Sequence, residues 1–178
     1  TKKAYLLTEF NRDEEALETL EKAAIYDPCD ANIYLLKSDI YFNLFQHKKA
    51  LKILQEALSK VEEDKEYLYL QMSDIYEELE DFEKEFEMIG NALSVNSDNV
   101  ESLNRMWLCV ELNEKYEESI QLHTELINKN PYSYLAWYNL AHAYCGLKLY
   151  EKAIDAFGYV IAIDEDFYNL TIGRHFSK

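Results

Sequence analysis

A spacing of 34 residues runs through this chain and limits the folds open to it. Ala16 and Ala50, Phe82 and Tyr116, Tyr116 and Tyr150, and Leu126 and Val160 each stand 34 positions apart. Pro28 and Pro131 are separated by 103, three periods and one residue, and the extra residue is placed at Lys65, in a linker, because Tyr41 and Tyr76 on either side of it are 35 apart. A fixed period of this length means one small supersecondary unit repeated, each burying its apolar face against the next.

Inside the period the apolar spacing is helical. In YLAWYNLAHAY, Trp137, Leu140, Ala141 and Tyr144 fall at i, i+3, i+4 and i+7; in the stretch that follows, Tyr150, Ala153, Ile154, Phe157, Val160 and Ile161 share one face. Each unit is therefore a pair of helices. Units beginning at Ala31, Glu66, Val100 and Tyr134 are preceded by Asp30, Asp64, Asn99 and Ser133, whose side-chain oxygens can accept from the orphan N–H groups of a helix start. Both prolines lie two residues before such a cap, where a helix has ended. Four glycines and two prolines in 178 residues agree with an all-helical chain.

Charge narrows the partners. Thirty-four acidic against 18 basic residues give a net charge of −16, which repels nucleic-acid backbones and anionic membranes and suits a basic or amphipathic protein partner, or simply a soluble surface. No apolar run approaches the ~20 residues that span a bilayer, so no membrane insertion is expected. Cys29, Cys109 and Cys145 are odd in number and form no CxxC pair, which fits free thiols in a reducing, cytoplasmic setting. The first residue is Thr1 rather than a methionine, so an excised piece that has lost a targeting segment stays open beside that expectation.

Two helices in 34 residues, with small residues at the eighth and twentieth positions, resembles the tetratricopeptide repeat family. The unit at 134–167 carries the pattern best, with Trp137, Leu140, Ala141, Tyr144, Ala153 and Phe157 on the fourth, seventh, eighth, eleventh, twentieth and twenty-fourth positions. The resemblance covers units at 31–65, counting Lys65, then 66–99, 100–133 and 134–167. A partial unit at 1–30 precedes them, and a tail at 168–178, with Tyr168, Ile172 and Phe176 on one stripe, is expected to form a partial or capping helix. It implies a single repeat domain: stacked antiparallel helix pairs in a right-handed superhelix, an α-solenoid.

The middle of the chain departs from the pattern. Small pairs stand at Ser38 with Ala50 and at Ala141 with Ala153, but Ser73 is matched with Glu85, and Trp107 with Ser119. A buried Glu85 needs a partner, for which Ser73 is the nearest candidate. An indole in a slot meant for a methyl group is expected to set helix spacing rather than bind a ligand, changing the curvature between residues 73 and 119; if buried, its loss would cost ~3 kcal/mol. The apolar run of residues 106–110 is thus read as part of a first helix, with Leu108 on the groove and Cys109 facing a neighbouring helix.

The resemblance also implies a concave groove lined by positions 2, 5, 9 and 12 of each first helix. Those positions hold Asn32, Leu35, Asp39 and Phe42; Tyr67, Leu70, Asp74 and Glu77; Glu101, Asn104, Leu108 and Glu111; and Leu135, Tyr138, His142 and Cys145. Acidic residues with aromatic and aliphatic ones between them suit a basic, amphipathic peptide or helix. The carboxylate clamp of chaperone-binding relatives is missing, since Leu35 with Asp39 and Leu70 with Asp74 replace its lysine and asparagine. His47, His123, His142 and His175 show no ligand spacing, and no phosphate loop or serine elbow accompanies the acidic runs. An interaction module without cofactor or metal is the expectation, with self-association through repeat ends or edges as the alternative and catalysis unsupported.

Overall fold

The computed structural model describes residues 1–164. Ten α-helices follow one another: α1 (Lys2–Glu9), α2 (Asp13–Tyr26), α3 (Ala31–Asn43), α4 (His47–Leu58), α5 (Lys65–Glu78), α6 (Phe82–Val95), α7 (Val100–Asn113), α8 (Tyr116–Lys129), α9 (Tyr134–Gly146) and α10 (Tyr150–Ile163). There is no strand among the described residues. The tail at 168–178, with its expected helix, lies outside them.

Two compact units divide the chain, one spanning Thr1–Val95 and one running from Asn96 onward. In the first, α3 packs on α4 and α5 on α6, with α4 and α5 joining the pairs. Ala16, Leu20, Ile33, Leu54, Leu68 and Ile75 anchor its core. In the second unit α9 is the hub, touching α7, α8 and α10, and Leu103, Met106, Leu126, Leu140, Ala153 and Val160 are buried around it.

The period returns in the backbone. Asn11, Phe45, Glu80, Glu114 and Lys148 all have φ between 54° and 59°. Each ends the first helix of a pair, and their spacings are 34, 35, 34 and 34 residues. After each, the next amide donates to the carbonyl five residues back: Arg12 to Leu7, Gln46 to Tyr41, Asp81 to Tyr76, Lys115 to Val110 and Leu149 to Tyr144. A left-handed residue followed by this bond closes the helix end and turns the chain, here without glycine.

The helix starts are less uniform than the four oxygen-bearing residues suggest. Asp30 Oδ1 accepts from Asn32 N at 3.0 Å and Asn99 Oδ1 from Ser102 N at 2.8 Å, but neither Asp64 nor Ser133 makes a side-chain cap bond. Asp64 sits at φ 60°, not in the extended backbone from which Asp30 and Asn99 cap, and Lys65 is the first residue of α5 rather than a linker residue. The prolines contribute their carbonyls: Pro28 O accepts from the Tyr34 hydroxyl at 2.8 Å, and Pro131 O from Trp137 Nε1 at 2.9 Å. Both donors stand at the fourth position of their units.

Candidate functional site

Exposed faces of the first helices carry the groove positions, and each unit has its own. In the first unit Asn32, Asp39, Tyr67, Asp74 and Glu77 are exposed, and Leu35 and Phe42 are half-buried. Leu70 is only 4% exposed and belongs to the packing, a correction to its place on the groove. Gln71 ties α5 to α3: its Nε2 donates to Leu35 O at 3.1 Å and to the Asp39 carboxylate. Although the residue as a whole is exposed, desolvation of its carboxyl group by the neighbouring helix lifts Asp39 above its ordinary value; the Gln71 hydrogen bond opposes the shift, and the Asp74 charge adds to it. This face thus holds two interacting carboxylates beside leucine and tyrosine, and Tyr5 of α1 extends it, lining with Asn32, Leu35 and Asp39 a shallow cleft of about 280 Å³.

In the second unit the exposed arc of α7 carries Glu101, Asn104, Leu108 and Glu111. Across from it on α9, Tyr138, His142 and Cys145 are half-buried, while Leu135 at 5% exposure is a core residue, the second correction. A knot of rings surrounds His142: Tyr138 at 4.4 Å between centroids, Phe157 edge-on at 5.6 Å and Trp107 at 5.9 Å. Burial depresses the His142 imidazole and raises the Cys145 thiol, and Glu111 pushes both upward, which puts its charge within reach of α9.

Trp107 is therefore not the wedge its register predicts. It is 39% exposed and leans on α9. The physical reason lies in α7 itself, where 104, 107, 108 and 111 share one side of a helix, so an indole too large for the small-residue slot swings toward that side. Within this pair α7 and α8 approach each other at few points, whereas α5 and α6 stay in close contact although Glu85 is buried in α6. Ser73 Oγ donates to Leu70 O at 2.6 Å, in its own helix, instead of donating to Glu85.

Sequence reading missed His123. It is fully buried in α8, its Nδ1 is 2.8 Å from Ser119 O, and its Nε2 is 3.2 Å from Asn139 Nδ2, which also donates to Leu103 O at 2.8 Å. The signal was present, because His123 stands 34 residues before Phe157, at the position that family members fill with an aromatic ring. Among the described residues no cluster of three or more His, Cys, Asp or Glu has the geometry to hold a metal ion, and no helix is long and apolar enough to cross a membrane.

A family profile described as tetratricopeptide repeat matches residues 31–59, 67–99 and 134–167, more than half of the chain. The segment with Trp107 and His123 lies between the matched stretches. Among solved structures, YrrB, described as a TPR protein with an unusual peptide-binding site, is 23% identical, with a TM-score of 0.56 over 92% of this chain and 84% of that one. MamA is 14% identical, with a TM-score of 0.59 over 93% and 96%. The TPR2AB domain of yeast Sti1, solved in a complex with pHSP90, is 16% identical, with a TM-score of 0.57 over 91% and 75%. At these identities the likeness establishes the fold. No curated protein matches.

Proposed function

Because the chain belongs to the tetratricopeptide repeat family, we propose that it is a protein-interaction scaffold that holds a basic, amphipathic segment of a partner protein on the exposed faces of its first helices. One observation carries the reading: in both units that face alternates carboxylates with exposed or half-buried apolar rings and chains. Asp39 shares α3 with Leu35 and Asp74 shares α5 with Tyr67 in the first unit, and Glu101 and Glu111 stand on either side of Trp107 and Leu108 along α7 in the second. Carboxylates attract and orient a basic segment, whereas apolar side chains supply the desolvated contact that slows its release. YrrB and the Sti1 domain are described with peptide or protein ligands, which supports the same use of this fold.

The test is a basic-peptide array read against two triple variants of equal charge. Asp39→Lys, Asp74→Lys and Glu101→Lys together should weaken the best peptides by at least about tenfold, on the scale of close charge pairs at interfaces. Glu18→Lys, Glu117→Lys and Glu151→Lys, at exposed places off these faces, should weaken them far less. Equal loss in both would reduce the binding to general charge attraction, and no loss in the first would remove the site.

A second reading, self-association, draws on exposed apolar side chains at the first and last described helices: Leu6 of α1 and Phe10 at its C-terminal cap, at 57% and 74%, and Tyr150 and Ile154 of α10 at 59% and 68%. Sedimentation over a hundredfold concentration range decides it, a constant monomer mass being the outcome that removes it.

A further inference from the structure

We propose that the ring surface of the second unit, Trp107 backed by His142 and Tyr138 with Glu111 beside it, is a seat for an arginine side chain of the bound partner segment. The inference deepens the scaffold reading and rests on it.

Four observations converge on a planar cation. Trp107 leaves 39% of its surface open although an indole gains from burial, and Leu108, adjoining it, is 47% exposed. The rings behind it are fixed: His142 is held between Tyr138 and an edge-on Phe157, and Phe157 also meets Tyr138 at 6.0 Å. Trp107 is thus a supported platform rather than a loose side chain. Glu111 lies one helical turn beyond Trp107, and its charge acts on His142 and Cys145 of α9, so the negative potential falls where the rings are. Finally, the charge of the described residues at the rings is negative. Arg105 stands at the opposite edge of the exposed arc of α7, and burial keeps the His142 imidazole low, hence neutral near pH 7.

An aromatic face attracts any cation, but its strongest partner here is guanidinium. It is planar, weakly hydrated, stacks on indole and can still direct two N–H groups to a carboxylate, whereas ammonium keeps its water and points at the ring as a single charge. A carboxylate-bearing ligand is repelled by Glu101 and Glu111, and a purely apolar anchor gains nothing from their charge.

The experiment follows the Trp107 indole directly. Trp137→Phe, which keeps a ring on Tyr159, leaves Trp107 as the single tryptophan. Its indole N–H resonance and emission are then titrated with blocked seven-residue peptides that are identical except for a central arginine, citrulline, lysine or leucine. Arginine should give a saturable shift, with citrulline about tenfold weaker and lysine between them. Glu111→Gln should weaken the arginine peptide about fivefold and leave the citrulline peptide unchanged, while Trp107→Leu, followed by calorimetry, should remove the preference for arginine. Equal binding of arginine and citrulline or leucine would make this an apolar anchor site and overturn the proposal. So would arginine binding that leaves the indole signal and the Glu111→Gln affinity unmoved, or no arginine binding at all. Array peptides that still bind and still respond to the Asp39 and Asp74 changes would then preserve the scaffold reading, whereas an array without any binder removes both.

Discussion

His123 occupies the position that holds Phe157 in the following unit, and its hydrogen bonds fix its charge. Asn139 Nδ2 must donate to Leu103 O, so the same amide presents N–H to His123 Nε2, which has to accept; Nδ1 then carries the proton and gives it to Ser119 O. A second proton on Nε2 would face another donor in a buried site. Burial accordingly brings the imidazole down to about 4, with only the Ser119 carbonyl opposing. The folded value lies below the unfolded 6.5, so the unfolded chain binds the proton more readily as pH falls. Stability from this group is complete above about pH 6.5, declines below it and is fully lost near pH 4, a change of roughly 3 kcal/mol. His123→Phe should abolish that part of the pH dependence, so urea unfolding at pH 7 and pH 4 should show the wild type losing roughly 3 kcal/mol more than the variant. An equal loss in both would mean that His123 titrates freely. Such a residue was legible from its register, as Phe157 shows, but its protonation was not, because that depends on which atoms of Asn139 and Leu103 meet it. Trp107 was the opposite case, since its size announced an anomaly, yet the contact of its ring with His142 of α9 is a packing result.

At the level of elements, the period predicted four helix pairs after a partial unit, because a 3.6-residue repeat in apolar residues is a direct record of which side is buried, whereas the groove positions on α3, α5, α7 and α9 came from the family resemblance. The turns were hidden for a physical reason. Left-handed residues normally betray themselves as glycine, and here the five positions are Asn11, Phe45, Glu80, Glu114 and Lys148. A side chain in this region costs roughly 1–2 kcal/mol, partly returned by the lower entropy of the non-glycine unfolded chain. Glu114 bears a further cost, a negative charge beside the negative end of the α7 dipole, whereas Lys148 is favoured at the end of α9. Glu114→Gly should therefore stabilise by ~1 kcal/mol and Lys148→Gly by about half as much. Chemical denaturation of the two variants checks both the sign and the order: destabilisation in both would show that these turns store no strain, and a reversed order would remove the dipole from the account. Cap chemistry was legible at Asp30 and Asn99 and misleading at Asp64, where the backbone is left-handed instead of the extended form of a capping residue.

For the molecule as a whole, composition indicated helices and an acidic surface, and the period indicated the family; neither indicated that Leu70 and Leu135 turn inward, since a register position fixes a direction on a helix and not the depth of its neighbours. A net charge of −16 with a pI near 4.6 means that like charges work against the folded state at neutral pH. Acidification toward the pI relieves that repulsion while it destabilises through His123, so the two effects have opposite signs over the same pH range. Salt separates them. Repulsion among exposed carboxylates extends over a Debye length of ~30 Å at 0.01 M and under ~10 Å at 0.5 M, whereas a buried imidazole bonded to Ser119 and Asn139 is hardly screened. Unfolding free energies measured at pH 7 and pH 4.6, in 0.01 M and 0.5 M NaCl, on the wild type and His123→Phe, should show two independent trends. Salt should stabilise both proteins at pH 7, by on the order of 1 kcal/mol, and neither near the pI. The gap between the two proteins should change with pH but not with salt. A gap that closes in 0.5 M NaCl would make the histidine effect an exposed charge interaction, and stabilisation by salt that persists at pH 4.6 would mean that the surface charge is not what opposes folding.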